Sequence, residues 1–471
     1  LSQGVRVKYV STRGSAPEKN FSGALLTGLA DDGGLYVPDE WPTLKGSGSG
    51  DYLETAFEVM NLFTAESLNQ ETLKKIIDEA YKSFDAQEVV PLIELDEQLF
   101  LMELFHGPTL AFKDIALQLV GGLFDYELNN RGEHLTIVGA TSGDTGSAAI
   151  EACKDRQNLD IVILHPSDRV SEVQRRQMTT VDSFNVHNVA IEGTFDDCQD
   201  LVKAMFNDLE YRNKLRLGAV NSINWARVMA QIVYYVVASE RLGSHDQPVI
   251  FSVPTGNFGN VFAGHAARNC GLNIPKLLVA SNKNDILTQF FTSAEMKIDE
   301  VIPTLSPSMD IQISSNLERL IFELFERDGT KVKNLLEKFR ADGSVKVDSD
   351  TEAKFSNSWA AYSFDDEEVI KCISSESERS GVILDPHSAI GVLAARSHRD
   401  KQIDPEIPIV SLATAHPAKF PKAVERALGD CPPLPDRLAD LHERPEFFTR
   451  LPNDLEIVKD HVTSCSRIDE K

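Results

Sequence analysis

Six cysteines in 471 residues, none in a CxxC pair and none at framework spacing, exclude a disulfide scaffold. Cys153, Cys198, Cys270, Cys372, Cys431 and Cys465 read instead as reduced thiols of a cytoplasmic protein. No run of 18 apolar residues occurs, so no transmembrane helix is expected, and no secretory signal pattern opens the chain. Basic residues are scarce: 47 Lys and Arg against 72 Asp and Glu leave a net charge of −25. Nucleic acid and anionic membranes demand a basic face, so neither is expected as a partner. None of the 11 histidines pairs with another at ligand spacing, and no metal site is expected; His106 and His416 read as cleft or packing residues. What is present is an ordinary globular balance, 42% hydrophobic and 25% charged, in a chain long enough to bury its core without staples. At about 150 residues per domain, the length suggests roughly three folding units, or two with a large insertion.

Three regions separate by pattern. Residues 1–92 carry turn-rich segments and then helical periodicity from Leu53 to Tyr81, with Ala56, Val59, Met60 and Phe63 on one face. The stretch Lys45 to Gly50, rich in glycine and serine, reads as a flexible linker. Residues 93–430 alternate helices with apolar strands at Leu135–Gly139, Ile161–His165, Val249–Pro254, Leu277–Ser281 and Ile407–Ala413. Continuous aliphatic strands suit a parallel sheet covered on both faces, and the alternation predicts a doubly wound α/β core in two lobes, the smaller at about 130–240. An acidic insertion, Asp342 to Glu378, is expected to interrupt it, and residues 431–471 read as a proline-led, charged tail.

Ligands of open α/β sheets collect beyond the carboxyl ends of strands. Two loops there are unusual. Thr141-Ser142-Gly143-Asp144-Thr145-Gly146 enters an alanine-rich helix and offers hydroxyls and helix-start N–H groups to an anion. It fits neither GxGxxG nor GK[ST], which removes the dinucleotide and P-loop readings; a plain strand-to-helix turn is the bland alternative. Gly256-Asn257-Phe258-Gly259-Asn260 forms a second such turn, a nest suited to a phosphate held without Lys or Arg. A third loop, Thr414-Ala415-His416-Pro417, ends the last strand. Lys113 follows the apolar Leu110-Ala111-Phe112 at a helix start. A lone lysine is ordinarily a surface cation, but a desolvated one can form a Schiff base. Lysine, phosphate nest and glycine-rich loops together suggest pyridoxal phosphate.

At these residues the sequence resembles the threonine synthase family, in its bacterial and fungal branch, of the tryptophan-synthase-β fold group (fold type II). The motifs are HGPTLAFKD at 106–114, GATSGDTGSAAI at 139–150, NSINWAR at 221–227, PTGNFGN at 254–260, SPSMDIQISSN at 306–316 and TAHPAKF at 414–420. The resemblance runs over nearly the whole chain. It implies a small N-terminal domain, a two-lobed fold type II core and a C-terminal tail. It implies that Lys113 carries pyridoxal 5′-phosphate and serves as base at Cα. Gly256, Asn257, Phe258, Gly259 and Asn260 would hold the cofactor phosphate, and Thr414 the pyridine nitrogen. Thr141, Ser142, Gly143, Asp144 and Thr145 would clasp the substrate carboxylate, although many fold type II enzymes carry Asn where this chain has Asp144. Asn221, Ser222 and Arg227 would bind the substrate phosphate.

The implied reaction turns O-phospho-L-homoserine and water into L-threonine and phosphate by γ-elimination and β-addition. Two readings compete with it. A fold type II dehydratase of serine or threonine would need no substrate-phosphate site. A threonine-synthase-like protein without turnover could lose the GNFG or TAHPAKF residues, which stand here. Relatives of this branch suggest a monomer, and the plant-type S-adenosylmethionine extension is not expected before the YVSTRG segment.

Overall fold

The computed structural model describes residues 7–46, 48–220, 222–401 and 406–468. These pack as two compact units. The first comprises Leu1–Asp78, Phe84–His106 and Ser222–Pro432; the second comprises Glu79–Ser83, Gly107–Asn221 and Pro433–Lys471. No helix among the described residues is long and apolar enough to cross a membrane.

The first unit is built on a six-stranded sheet ordered Trp359–Ser363, Leu277–Ser281, Ile250–Pro254, Ile409–Ala413, Leu99–Glu103, Leu92–Asp96. All neighbours are parallel except the last pair, an antiparallel hairpin. The strands at 250–254, 277–281 and 409–413 are buried at every position, which is why they are legible as short, mostly apolar runs without a charge. Their faces feed a core that includes Leu101, Ile250, Leu278, Ile390 and Ile409. The last strand begins at Ile409 rather than Ile407, after Pro408, whose nitrogen has no hydrogen to donate.

Three expectations are corrected in this unit. The segment Asp342 to Glu378 does not interrupt the fold: its Trp359–Ser363 stretch is the sheet's edge strand, in register with Leu277–Ser281. Only Trp359 of that strand is buried, so its pattern lacks the aliphatic signature. The periodicity from Leu53 to Tyr81 resolves into two helices, Tyr52–Thr64 and Gln70–Tyr81. The glycine-serine stretch is an anchored loop rather than a flexible linker. Gly48 and Gly50 donate their N–H groups to the carboxylate of Glu240 at 3.0 and 3.2 Å. Both, with Gly46, sit at positive φ, which glycine adopts without strain. Thr55 completes the cage around this buried carboxylate at 3.2 Å. Nearby, Tyr9, Trp41 and Phe63 pack around Trp225, the first residue of the Trp225–Arg241 helix.

The second unit holds a five-stranded, wholly parallel sheet ordered Thr449–Pro452, Val186–Glu192, Leu159–Pro166, Leu135–Ala140, Leu217–Gly218. The C-terminal segment supplies its edge strand. The following helix, Leu455–Cys465, buries Val458, Val462 and Cys465 against Val138, Val162 and Val189. Beyond the helix, Arg467 donates its backbone N–H and its Nε to the fully buried carboxylate of Asp160, at 2.7 and 2.6 Å. The same carboxylate meets His134 Nε2 at 2.7 Å. The charged tail of the sequence is therefore a structural layer of this unit. Its strand is mostly exposed, which hides it from a hydrophobicity pattern.

Candidate active site

In the second unit, Lys113 is the first residue of the Lys113–Arg131 helix. The segment before it is wound around the buried Asp114, whose carboxylate accepts from the Thr109 N–H at 2.8 Å and the Thr109 hydroxyl at 2.6 Å. A Cβ on Gly107 would lie 2.4 Å from the Asp114 Cβ, so only glycine fits that turn. Leu110 takes a left-handed backbone at φ 62°, and Gln177 Nε2 holds the Thr109 carbonyl at 3.0 Å. These contacts aim Lys113, whose side chain is 13% exposed, and its Nζ stands 3.4 Å from Asp144 Oδ2. Burial was readable from the apolar flank; the facing carboxylate was not.

Asp144 opens the Asp144–Cys153 helix just past the strand Leu135–Ala140. Its other oxygen accepts from Gln174 Nε2 at 2.8 Å, and Gln174 is seated by the Ser171 hydroxyl, 2.8 Å from its Oε1. Gly143, at φ 144°, caps this helix without a side-chain bond, and a Cβ there would strike Gln174 at 2.6 Å. Thr141 accepts from the N–H groups of Gly143 and Gly146 at 3.0 and 2.9 Å. With both lone pairs engaged, its single O–H is the group it can offer a carboxylate. Ser142 is exposed and Thr145 partly buried. A cavity of about 270 Å³ lined by Gly139, Thr141, Thr145, Gly146 and Lys203 opens at this strand end. That size suits a small molecule.

In the first unit, Gly256–Asn260 follows the strand Ile250–Pro254 and starts the helix Gly259–Asn269. Phe258, at φ 65°, occupies the cap position with no side-chain bond, so the first-turn N–H groups have no intrahelical acceptor. Asn260 Oδ1 accepts from Tyr234 at 2.5 Å and Tyr235 at 3.0 Å. Burial holds both phenols well above their usual pKa, so they remain donors. Tyr235 also donates to the Asn260 backbone carbonyl at 2.8 Å, and in this orientation the buried Nδ2 has no partner among the described residues. An uncapped helix start and an orphaned amide donor fit a bound phosphate.

The 306–316 segment braces this loop. Ser314 donates to the Gly256 carbonyl at 2.7 Å, and Asn316 Nδ2 bridges the carbonyls of Asn257 and Ser222 at 2.9 and 3.1 Å. The fully buried Arg319 donates to Asn316 and, at 2.5 Å, to the Ile223 carbonyl. Ser222 and the phosphate loop are thereby brought together. Asn221 lies outside the described residues. Arg227 sits in the first turn of the Trp225–Arg241 helix, 3% exposed, and that turn carries no acidic residue. Its Nε and Nη1 have no partner among the described residues, and burial pulls its pKa from 12.5 to about 10. Thr414 follows the strand Ile409–Ala413 and is buried, its N–H held by the Ser388 hydroxyl at 2.9 Å.

His106 is taken up by two carboxylates, Asp85 at 2.9 Å and Glu103 at 2.7 Å. His416 caps the Pro417–Lys419 turn through Nδ1, and burial pushes its pKa down to about 4. Gln174, Asn316, Arg319 and Ser388 had no role assigned from the sequence. The SPSMDIQISSN motif was the available signal for Asn316, and the Asp385-Pro386 helix start the signal for Ser388.

Comparison with known proteins shows the family of the chain. Family models described as "Threonine synthase N terminus", "Pyridoxal-phosphate dependent enzyme" and "Threonine synthase, C-terminal" match residues 8–81, 85–338 and 388–462. A threonine synthase of Pseudomonas aeruginosa is 52% identical, over 97% of this chain and 98% of its own. The structure of a threonine synthase from Brucella melitensis with pyridoxal phosphate bound superposes with a TM-score of 0.95 at 49% identity, covering 98% of this chain and 100% of its own. A yeast threonine synthase gives 0.93 at 38% identity, covering 98% and 99%. A pyridoxal-phosphate-dependent enzyme domain thus covers most of the chain between the two threonine synthase segments, and the chain belongs to the threonine synthase family.

Proposed function

We infer that this chain is a threonine synthase that converts O-phospho-L-homoserine and water into L-threonine and phosphate. Lys113 carries pyridoxal phosphate, Gly256–Asn260 holds its phosphate through helix-start N–H groups and the Asn260 amide, and Thr414 meets the ring nitrogen. When bound, the cofactor supplies an electron sink that acidifies the substrate's Cα and Cβ protons. Lys113 moves those protons, and Asp144 at 3.4 Å keeps its amine in place between transfers. Thr141–Thr145 bind the substrate carboxylate through the Thr141 hydroxyl and the uncapped helix start.

The observation that carries the phosphorylated substrate is Arg227. A buried guanidinium at a helix start, with the dipole unfavourable, no acidic residue in that turn and two nitrogens unpartnered among the described residues, is suited to a visiting anion. Ser222, and Asn221 with it, complete that site. A dehydratase of hydroxy amino acids gives Arg227 nothing to bind. The core is of fold type II, and the protein acts as a cytoplasmic monomer; six thiols, all unpaired, suit a reducing compartment.

The test is direct. The purified protein should show a visible cofactor band, borohydride should fix the cofactor to Lys113, and phosphohomoserine should release phosphate in step with threonine. Release of ammonia from serine without phosphate release from phosphohomoserine would overturn the reading.

A further inference from the structure

Thr414 is held by a polar relay in the first unit whose extent exceeds what a helix cap requires. The helix Pro386–Asp400 is capped by Asp385, which is fully buried. An aspartate cap ordinarily accepts one or two backbone N–H groups. Asp385 takes two, from His387 at 2.9 Å and Ser388 at 3.2 Å, and then two side chains as well. His387 Nδ1 meets Oδ1 at 2.8 Å, and the Ser388 hydroxyl donates to Oδ2.

Directions follow from the partners. Since the Ser388 proton goes to Asp385, its oxygen is the acceptor, and the group it accepts is the Thr414 N–H at 2.9 Å. The ladder of the Ile409–Ala413 strand stops one residue earlier, so this bond continues the fixing of the backbone by one step. On the other arm, His387 Nε2 accepts the Ser308 N–H at 3.3 Å, while its Nδ1 faces Asp385. The Ser308 carbonyl in turn packs on Gly256, where a Cβ would lie 2.8 Å from it. One buried carboxylate thus reaches both Thr414 and the start of the phosphate loop.

We propose that Asp385 and Ser388 are positioning residues for the reaction, setting the Thr414 hydroxyl at the cofactor ring by fixing the direction of the Ser388 hydrogen bond. This rests on the assignment of Thr414 to the ring nitrogen. Ser388 acts through Thr414, whose N–H its hydroxyl oxygen accepts. Ser388→Ala keeps the Asp385 cap and the helix but leaves the Thr414 N–H without its acceptor.

The experiment compares Ser388→Ala, Ser388→Thr, Asp385→Asn and Thr414→Val in the PLP-loaded protein. It reads the cofactor's absorption and emission, amide exchange in the peptide spanning 409–420 with and without cofactor, and kcat and KM for phosphohomoserine. Ser388→Ala should speed exchange at Thr414, shift the cofactor band in the same sense as Thr414→Val, and lower kcat about 10- to 100-fold with KM nearly constant, the scale set by a small misplacement. Ser388→Thr should restore all three. Asp385→Asn, which preserves shape but frees the serine proton, should give a smaller shift of the same sign. If Thr414→Val shifts the band and Ser388→Ala does not, the relay is wrong while Thr414 stands. If Thr414→Val leaves the band unmoved, the assignment of Thr414 fails and the relay's purpose with it. Equal loss of melting temperature and of kcat in every variant, with unmoved spectra, would make the network structural only.

Discussion

Replacing Arg227 by methionine should make the protein more stable and nearly inactive at once. Arg227 is 3% exposed, two of its three guanidinium nitrogens lack partners among the described residues, and burial alone moves its pKa from 12.5 to about 10. At about 1.4 kcal/mol per tenfold change, that displacement corresponds to roughly 3 kcal/mol of desolvation left uncompensated without an anion. A methionine of similar length removes the charge and keeps most of the packing, so unfolding should become harder by about 1–3 kcal/mol. For a protein of this size that is a rise of a few degrees in melting temperature. The catalytic effect has the opposite sign. Loss of a buried, charge-assisted contact to phosphate costs roughly 2–5 kcal/mol, or on the order of 30- to several-thousand-fold in kcat/KM. Arg227→Lys should recover part of it, because a point charge replaces a planar fork incompletely. The assays are thermal unfolding of the PLP-loaded protein with and without inorganic phosphate, and kcat/KM on phosphohomoserine beside the side reaction on serine. Inorganic phosphate should raise the wild-type midpoint and leave that of Arg227→Met unmoved. A structural arginine would behave otherwise: lower stability, weaker cofactor retention and equal losses on both substrates. That outcome refutes the reasoning.

Four further outcomes are expected. Lys113→Ala should still bind pyridoxal phosphate through the Gly256–Asn260 loop but lose turnover and borohydride fixation; wild-type turnover in that variant would remove Lys113 from the chemistry. Asp144→Asn deletes an attraction worth on the order of 5 kcal/mol at an effective dielectric constant near 20, so the apoenzyme's amine should capture added cofactor faster across the neutral pH range; an unchanged pH profile of reconstitution would contradict the ion pair. Gly107→Ala should cost several kcal/mol and most of the bound cofactor, since the new Cβ meets the Asp114 Cβ at 2.4 Å; denaturant unfolding and the visible band measure both. Burial acts to raise the Asp160 carboxyl's pKa, but hydrogen bonds from His134 and Arg467 outweigh it and hold it below its ordinary value. Its stabilisation is therefore complete above the unfolded-state carboxylate pKa of about 4 and is lost as pH falls through the lower folded-state value. Protease cleavage near Arg467 should rise at acid pH, and in Asp160→Asn it should already be fast at neutral pH.

What the sequence discloses, and what it hides, follows burial. The strands at 135–140, 250–254, 277–281 and 409–413 were readable because helices cover both faces of a parallel sheet, so nearly every position is apolar or small. Trp359–Ser363 and Thr449–Pro452 are edge strands, only partly buried and poor in branched aliphatic residues, which erased the signal; the first passed for an insertion and the second for a tail. The site divides the same way. Lys113 and the glycine loops announce themselves locally, because an apolar flank or a positive φ leaves its mark within a few residues. Their supports do not. Asp144 faces a lysine 31 positions earlier, Asn316 spans loops 59 and 94 positions away, and Ser388 holds a threonine 26 positions later. Each such residue is short and polar, ordinary in its own neighbourhood, and gains its meaning only when the chain returns to it. A single sequence can therefore name the groups that touch a ligand before it can name those that aim them.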